Sequence, residues 1–194
     1  MIKLAIFDMD GTVFESYLNW AEIKENLGIE SNILKEIYKN NRVDRVKLAK
    51  LEGYEEENTL RTAPIKGIAG FLSFLKSRPV DTALVTNNNK KNTAYLLENF
   101  SLRFDTVITR EKKLWKPSPD PFFHVMDLYR RDVKETIAIG DSHYDVKAAK
   151  EAGIANIFII KNEVSQKLSD NDIVYFKDYH DLKKILESGL FEKE

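Results

Sequence analysis

The sequence contains no cysteine and only three histidines among its 194 residues. The absence of cysteine excludes disulfide bonds and catalysis by a thiolate, and so few histidines argue against a structural zinc site. A hydrophobic fraction of 43% is typical of an ordinary globular protein, so the chain has enough apolar side chains to build a core.

Neither sign of charge dominates, because 30 basic and 31 acidic residues give a formal net charge of -1. The sequence has no long basic stripe, so we expect no nucleic-acid partner. No apolar segment approaches the roughly 20 residues that cross a bilayer, and the N-terminal apolar run is too short for the core of a signal peptide. These absences predict a cytoplasmic protein without a membrane partner.

Short apolar runs rich in β-branched residues alternate with helical patterns through most of the chain. The strands are predicted at 3–7, 82–86, 106–109, 136–139, 157–160 and 173–176. The helices between them are predicted at 67–77, 90–100, 120–129 and 143–152. This alternation is typical of an α/β fold with a doubly wound parallel sheet that helices cover on both faces.

One segment, residues 18–63, breaks this rhythm because it shows helical patterns and no convincing strand. Its helices are predicted at 18–27, 31–39, 43–51 and 54–61, with Gly53 separating the last two. The acidic run at 55–57 is interpreted as a solvated helix face. We therefore predict an α/β core of residues 1–17 and 64–194, with a small all-helical insert of residues 18–63 after the first strand.

The first predicted strand ends in the stretch FDMDGT, in which Asp8 and Asp10 are two residues apart. In an extended chain such residues point to the same side, so the two carboxylates would share one small space. Their repulsion makes this unfavourable unless another group holds them. A turn is the alternative, because Asp-Gly is a strong hairpin signal. These six residues alone do not decide between a site and a turn.

Polar residues also follow two other predicted strands. The second strand ends in Thr86 and Asn87, and Asp141 and Asp145 lie in GDSHYD after the fourth. Lys116 lies in KPSPDPF, just before a predicted helix. Ligands of open α/β sheets bind beyond the carboxyl ends of the strands. We therefore expect acids, a hydroxyl, an amide and an amine to meet there, in a combination that suits a divalent cation and a phosphoryl group.

Four motifs resemble those of the haloacid dehalogenase superfamily of aspartyl-nucleophile phosphatases. They are DMDGT, VTNN, the lysine of KPSPDPF, and GDSHYD, and they occur in the family's order. The resemblance covers residues 3 to about 160 and implies a Rossmann-like core. The insert of residues 18–63 is then in the position of the family's helical cap, and it is called the cap segment below.

The resemblance implies that Asp8 is the nucleophile, a role that a carboxylate can perform because it attacks phosphorus to form an aspartyl-phosphate. It implies that Asp10 is the general acid that protonates the leaving alkoxide and then the base that activates water. It also implies Mg²⁺ as the cofactor, with carboxylate oxygens from Asp8 and Asp141 and the backbone carbonyl of Asp10 as ligands. The metal would relieve the repulsion among these acids.

The remaining motif residues are predicted to handle the phosphoryl group. Thr86 and Asn87 would donate hydrogen bonds to its oxygens, helped by the start of the following helix. Lys116 would neutralise Asp8 and the transferring group, although a single lysine could also be merely solvated. Asp145 has two interpretations, because it completes a capping-box pattern and also lies where the resemblance implies a group close to the metal.

The cap segment is short, which favours a small phosphate ester as substrate or a promiscuous site. Its hinges are predicted at 13–17 and 63–66, and such caps exclude water when they close. Four basic residues of the cap segment are candidates for gripping a substrate anion, with solvated surface charges as the alternative: Arg42, Arg45, Lys47 and Arg61.

These features together predict a Mg²⁺-dependent phosphatase, similar to phosphoglycolate phosphatase, that acts on a small phosphorylated metabolite. A phosphomutase of the β-phosphoglucomutase type is the alternative among enzymes, because it uses the same four motifs. Dehalogenase relatives lack the second acid, which Asp10 provides here. A response-regulator receiver needs neither Asp10 nor a helical insert, and a non-catalytic binding module is the remaining alternative. The sequence does not predict the oligomeric state.

Overall fold

A six-stranded parallel sheet forms the centre of the fold, in the order β3-β2-β1-β4-β5-β6. The computed structural model describes residues 1–162, 165, 168 and 172–189. Within them the strands are β1 Leu4–Phe7, β2 Asp81–Val85, β3 Thr106–Ile108, β4 Thr136–Gly140, β5 Asn156–Ile160 and β6 Ile173–Phe176. The helices are α1 Trp20–Leu27, α2 Ile33–Ile37, α3 Arg45–Arg61, α4 Ile68–Lys76, α5 Lys90–Asn99, α6 Asp120–Tyr129, α7 His143–Glu151 and α8 Tyr179–Gly189.

Helices pack on both faces of this sheet. In β1, Ala5 and Phe7 belong to one apolar cluster, whereas Leu4 and Ile6 belong to another, because successive side chains of a strand point to opposite faces. Helices α4, α5 and α8 contribute to the first cluster, and α6 and α7 contribute to the second. The sheet is therefore buried on both sides, and the predicted doubly wound α/β fold is confirmed.

The predicted strands and core helices all lie within one residue of the observed bounds. Their apolar periodicity is a local property, and here it agrees with the tertiary packing. Helix α8 is not among the predicted helices, although Leu182 and Leu186 are four residues apart and both are buried against the first cluster. That spacing is the signal that would have revealed the helix.

In the cap segment, the prediction of two helices separated at Gly53 is wrong. A single helix, α3, runs from Arg45 to Arg61. The Asp44 carboxylate caps its start by accepting a hydrogen bond from the Lys47 backbone N–H at 3.0 Å. A glycine inside a helix costs only about 1 kcal/mol relative to alanine. Residues on both sides of Gly53 are buried, so tertiary packing outweighs this cost.

Helices α1 and α2 begin two residues later than predicted because asparagine side chains cap them. The Asn19 side chain accepts a hydrogen bond from the Glu22 backbone N–H at 3.3 Å. The Asn32 side chain does the same for the Lys35 backbone N–H at 3.0 Å. A capping residue has non-helical dihedral angles, so the residues that precede it lie outside the helix.

The cap segment has an apolar core of its own. Its fully buried members come from helices α1, α2 and α3 and from one connection: Ile23, Leu27, Ile29, Ile33, Leu34, Ile37 and Leu51. Trp115 of the α/β core packs against this cluster, with its ring centroid 4.8 Å from that of Tyr38. The cap segment therefore contacts the α/β core immediately beside Lys116.

The two chain crossings between the α/β core and the cap segment run side by side. The Glu15 N–H donates to the Ala63 carbonyl at 2.9 Å, and the Ile65 N–H donates to the Val13 carbonyl at 2.9 Å. These four residues lie in the predicted hinges. The division into core and cap at 17/18 and 63/64 stays a prediction, and the predicted end of the core at 194 lies outside the described residues.

Among the described residues, no helix combines the length and the apolar character that are needed to cross a membrane. The longest is α3, which has 17 residues and is rich in charged side chains.

Candidate active site

Three neighbouring strands bring acidic and polar residues to one edge of the sheet. Strand β1 pairs in parallel with both β2 and β4, so their carboxyl ends lie at the same edge. Asp8 follows β1, Thr86 follows β2, and Asp141 follows β4. Lys116 reaches the same place from a loop, because its ammonium contacts Asp8. The structure therefore brings these residues together, as the sequence predicts.

Lys116 provides a positive charge in the middle of the site. Its ammonium donates hydrogen bonds to Asp8 Oδ1 and to Asp145 Oδ1, the latter at 2.6 Å. The Lys116 side chain is only 4% exposed, so the interpretation as a solvated lysine is wrong. Burial alone would lower the pKa of Lys116, but Asp145 and Asp8 outweigh burial and raise it. The ammonium therefore stays charged at neutral pH.

Asp145 completes the capping box and also contacts the site through Lys116. Its Oδ2 accepts hydrogen bonds from the Ser142 backbone N–H at 3.0 Å and from the Ser142 hydroxyl at 2.6 Å, which completes the capping box of α7. Its Oδ1 accepts the hydrogen bond from Lys116. Burial alone would raise the pKa of Asp145, but Lys116 and Ser142 outweigh burial and lower it. The carboxylate is therefore ionised, while its predicted place near a metal stays a prediction.

Carboxylate oxygens of Asp8, Asp141 and Asp145 lie within 4.8 Å of one another. Lys116 contacts two of these groups, whereas Asp141 Oδ2 accepts from the neutral amide of Asn162 at 2.9 Å. Burial raises the pKa of Asp8 well above its ordinary value. Burial and the neighbouring Asp145 raise the pKa of Asp141 to about 7. The cluster therefore holds more negative charge than the Lys116 ammonium compensates.

Such a cluster fits the divalent cation that the resemblance implies. Mg²⁺ prefers oxygen ligands, and bound positive charge would offset both the burial and the repulsion that raise the pKa values of Asp8 and Asp141. Asp8 and Asp141 are both in the cluster, as predicted, and Asp145 joins them. The predicted contribution of the Asp10 backbone carbonyl stays a prediction.

The Asp10 side chain contacts the loop after β2. Its Oδ2 accepts a hydrogen bond from Asn88 Nδ2 at 3.1 Å. Its Oδ1 is buried and has no hydrogen-bond partner in the described part of the chain. Burial raises the pKa of Asp10, while the Asn88 amide opposes that shift. A carboxyl group with a raised pKa holds its proton closer to neutral pH, as a general acid must.

The loop of residues 86–89, called the TNNN loop below, supports Lys116 through its second residue. Asn87 Nδ2 donates to the Lys116 carbonyl at 2.9 Å, and the Lys116 N–H donates to Asn87 Oδ1 at 3.0 Å. The amide of Asn87 is therefore occupied by the main chain of Lys116. The hydroxyl oxygen of Thr86 accepts from the Asn88 N–H at 3.0 Å, which leaves the Thr86 hydroxyl hydrogen to donate. Contact of Thr86 or Asn87 with a phosphoryl group stays a prediction.

The other half of the TNNN loop connects Asp10 to helix α5. Asn88 Nδ2 donates to Asp10, and Asn88 Oδ1 accepts from the Asn89 backbone N–H at 2.8 Å. Asn89 Oδ1 caps α5 by accepting from the Asn92 backbone N–H at 2.8 Å. Both asparagines are buried. The motif VTNN includes Asn88, but nothing in the motif indicates that its amide contacts Asp10.

The prediction that Glu55 lies on a solvated helix face is wrong. Glu55 is 2% exposed and forms an ion pair with Arg110, which is 1% exposed. In α3 the buried residues Leu51, Glu55 and Thr59 are four positions apart, so they share one face of the helix. This spacing could have revealed the burial of Glu55, whereas Arg110 belongs to no motif. The two acidic residues that follow Glu55 are exposed, as predicted.

Gly11 allows the chain to turn closely past Asp141. Its φ is +81°, and a Cβ at this position would overlap Asp141 Oδ2. Asn162, which the sequence did not indicate, donates to this same Asp141 oxygen and to the Gly11 carbonyl, the latter at 3.4 Å. The predicted turn is present, since the Val13 N–H donates to the Met9 carbonyl at 2.9 Å, but it forms no hairpin, because the preceding strand, β1, pairs in parallel with both of its neighbours.

The basic residues of the cap segment lie mostly at the surface. Arg42 and Arg45 are exposed, and Lys47 is partly exposed. Arg61 donates to the Tyr17 carbonyl at 3.2 Å and stacks over the Tyr17 ring, 5.2 Å from its centroid. Their predicted contact with a substrate anion stays a prediction.

We expect Gly11→Ala to cost roughly 2–5 kcal/mol of unfolding free energy, because it adds left-handed strain and a clash with Asp141. Gly28→Ala is the matched control, since Gly28 also has a positive φ, of +61°, but a Cβ added there would meet none of the described atoms beyond its chain neighbours within 4 Å. That control should cost only about 1–2 kcal/mol. Chemical denaturation measures both values, and equal costs would show that the close approach to Asp141 is unimportant.

Comparison with known proteins identifies the family that this chain matches. Residues 17–159 match the family of haloacid dehalogenase-like hydrolases. The chain is 25% identical to an uncharacterized hydrolase of Saccharomyces cerevisiae, over 86% of this chain and 81% of the relative. It is 25% identical to a phosphoglycolate phosphatase of Aquifex aeolicus, over 98% of this chain and 100% of the relative. Several other relatives match over only 36% to 49% of their length.

A crystal structure from Thermotoga maritima, provisionally assigned as a β-phosphoglucomutase, has the same fold. It is 19% identical, has a TM-score of 0.70, and the match covers 97% of this chain and 100% of that one. This likeness concerns the fold alone, whereas the family match covers most of the chain. The chain therefore belongs to the family of haloacid dehalogenase-like hydrolases, and the protein is an enzyme.

Proposed function

We propose that this enzyme is a Mg²⁺-dependent phosphatase that hydrolyses a small phosphate monoester through an aspartyl-phosphate on Asp8. The observation that carries the proposal is the buried ammonium of Lys116, which holds Asp8 at the sheet edge where Asp10 and Asp141 also lie. Asp8 and Asp10 precede the residues that match the family, so their roles depend on this geometry. The phosphoglycolate phosphatase of Aquifex aeolicus supports the reaction class and makes phosphoglycolate the first substrate to test.

In the first step a carboxylate oxygen of Asp8 attacks phosphorus. The new bond joins Asp8 to phosphorus, the bond to the leaving oxygen breaks, and the proton of Asp10 goes to that oxygen. Lys116 keeps Asp8 oriented and places its charge beside the transferring group. Thr86 donates its hydroxyl hydrogen to a phosphoryl oxygen, and Asn87 is its neighbour in the TNNN loop.

In the second step Asp10, now ionised, takes a proton from a water molecule. The water oxygen forms a bond to phosphorus, the bond between phosphorus and Asp8 breaks, and inorganic phosphate leaves. Asp10 ends the cycle protonated and Asp8 ionised, as both began. Mg²⁺, held by Asp8, Asp141 and the Asp10 carbonyl, supplies positive charge that offsets the charge of the phosphate.

A phosphomutase is the second candidate, because it would use the same residues as nucleophile, acid and phosphate ligands. The structural neighbour from Thermotoga maritima favours it, although a likeness at 19% identity supports only the fold. A receiver or a binding module is not favoured, since the family is one of hydrolases. A cytoplasmic location remains part of the proposal.

A screen of small phosphate monoesters, beginning with phosphoglycolate, tests the proposal directly. Inorganic phosphate should be released with MgCl₂ present and not with excess EDTA. Hexose phosphates belong in the same screen, with their products separated by chromatography. Formation of an isomer without phosphate release would overturn the phosphatase proposal in favour of the mutase.

We expect Asp8→Asn to lower kcat by at least about 10³-fold, because an amide is a poor nucleophile toward phosphorus. Asp10→Asn should lower kcat by about 10²–10⁴-fold, because it removes both proton transfers. Steady-state kinetics gives both values, and intact mass measures phosphate retained on the protein, which Asp10→Asn should increase. Wild-type turnover in either variant would remove that residue from the mechanism.

Stability should depend on pH and on Mg²⁺ together. Folded-state pKa values of Asp8 and Asp141 are raised, so the folded protein keeps protons that the unfolded chain releases, and stability falls as pH rises. For Asp141, whose pKa moves from 3.8 to about 7, the loss between about pH 5 and pH 7 is about 2–3 kcal/mol. Glu55, whose pKa burial raises to about 7, adds to this fall without depending on the metal.

Because Mg²⁺ binds the ionised carboxylates, MgCl₂ should raise the melting temperature more at about pH 8 than at about pH 5.5. Thermal melting in EDTA and in MgCl₂ at the two pH values measures this difference. Asp141→Asn is the control, and it should remove most of the response to MgCl₂. An equal response at both pH values would contradict a site formed by carboxylates with raised pKa values.

A further inference from the structure

A buried ion pair joins the cap segment to the α/β core. Glu55 Oε2, on helix α3, accepts a hydrogen bond from Arg110 Nη2, and the two side chains are 3% and 1% exposed. Removing two charges from water costs about as much free energy as their attraction returns, so such a pair adds little stability. Its effect is instead to specify where the cap segment meets the core.

Arg110 fixes the TNNN loop through both its side chain and its backbone. Arg110 Nε donates to the Asn87 carbonyl at 3.1 Å, and the Arg110 backbone N–H donates to the Asn88 carbonyl at 3.0 Å. The Arg110 carbonyl accepts from the Trp115 indole N–H at 2.7 Å. Arg110 therefore links the TNNN loop to the loop that carries Lys116.

Glu55 also contacts the TNNN loop directly. The same oxygen that accepts from Arg110 accepts from Asn89 Nδ2 at 3.2 Å. Glu55 thus touches the end of the loop through Asn89 and its middle through Arg110. The contacts of Arg110 are with the carbonyls of Asn87 and Asn88, whose side chains hold Lys116 and Asp10.

We propose that Glu55 is a positioning residue for the reaction. The Glu55 carboxylate, where the cap segment meets the core, holds Arg110 and Asn89, and these two residues fix the TNNN loop so that Asn88 orients Asp10. The inference depends on the proposed phosphatase function, because it assigns Asp10 a proton transfer in each step. It makes the catalytic geometry of the core depend on a residue of the cap segment.

The second chemical step is the more sensitive to this positioning. p-Nitrophenyl phosphate has a stabilised leaving group that departs without protonation, so its phosphoryl transfer to Asp8 depends little on Asp10. Hydrolysis of the aspartyl-phosphate still requires Asp10 to accept a proton from water. Displacement of a catalytic group by about 1 Å can cost about 10²-fold in rate. Loss of Glu55 should therefore make the aspartyl-phosphate accumulate.

The chain offers a matched control one residue away. Glu56 pairs with Lys91 at 3.0 Å, and this pair also joins α3 to the core, through α5. Its side chains are 56% and 79% exposed, and its contact is with the surface of α5. Glu56→Ala therefore removes an ion pair between the same two units without disturbing the TNNN loop.

The experiment compares Glu55→Ala, Glu55→Gln and Glu56→Ala in the full chain, with p-nitrophenyl phosphate and MgCl₂. Glu55→Ala should lower kcat by about 10–100-fold and should show a burst of about one nitrophenolate per enzyme before the slow steady state. Glu55→Gln keeps an oxygen that can accept both hydrogen bonds, so it should lose less activity. Glu56→Ala should stay within about 2-fold of the wild type, as expected for an exposed pair.

Trp115 provides a measurement that needs no turnover. Its indole donates to Arg110, and its ring packs on Tyr38 of the cap segment. The second tryptophan, Trp20, is 41% exposed, and Trp20→Phe removes its signal. In that background, Glu55→Ala should shift the Trp115 emission to longer wavelength, because loosening Arg110 and the cap segment admits water. Glu56→Ala should leave the emission unchanged.

The results separate the two proposals. If the wild type releases no phosphate from any ester, the proposed function fails. An unchanged Trp115 emission in Glu55→Ala would separately overturn the coupling between Glu55 and the core. If the burst amplitude and the steady-state rate fell by the same factor in Glu55→Ala, the variant would simply contain less folded protein. That result would overturn the positioning role. Equal kinetics in Glu55→Ala and Glu56→Ala would overturn it as well.

Discussion

The contact on which the site depends is the buried ammonium of Lys116 between Asp8 and Asp145. Each of these groups alone would carry a large desolvation cost, which the two carboxylates offset through Lys116 and Lys116 offsets through both carboxylates. Three features hold these side chains in place. Strand β1 ends just before Asp8, and the capping box orients Asp145. The amide of Asn87 forms hydrogen bonds with the main chain of Lys116.

The positive charge of Lys116 does not balance the negative charge of the acidic cluster, and this excess of negative charge explains what the site can bind. The single charge of Lys116 is shared by two carboxylates, while Asp141 meets a neutral amide and its pKa rises to about 7. A divalent cation would complete the balance, so the repulsion among these acids also suggests what they bind. Burial raises the pKa of Asp10 as well, but its partners differ, because Asn88 holds one oxygen while the other has no partner among the described residues. Neighbouring aspartates thus acquire different tasks from their surroundings.

The TNNN loop connects these local arrangements to the cap segment. Its middle residues hold Lys116 and Asp10 through their side chains and Arg110 through their carbonyls, and its last residue, Asn89, contacts Glu55. Because this loop contacts both the cap segment and the core, its conformation depends on how the two pack against each other. The charged pair of Glu55 and Arg110 lies at this junction, which explains why the protein buries a second ion pair in addition to those of Lys116.

Local sequence patterns were enough to predict the sheet, the core helices, and the meeting of Asp8, Lys116 and Asp141 at one site. These predictions succeed because apolar periodicity and the residues after each strand are local properties, and parallel pairing brings all the strand ends to one edge. The continuation of α3 through Gly53, the pairing of Glu55 with Arg110, and the contact of Asn162 with Asp141 became visible only in the folded chain. Those features depend on contacts between residues far apart in the sequence, where packing and charge pairing outweigh local preference.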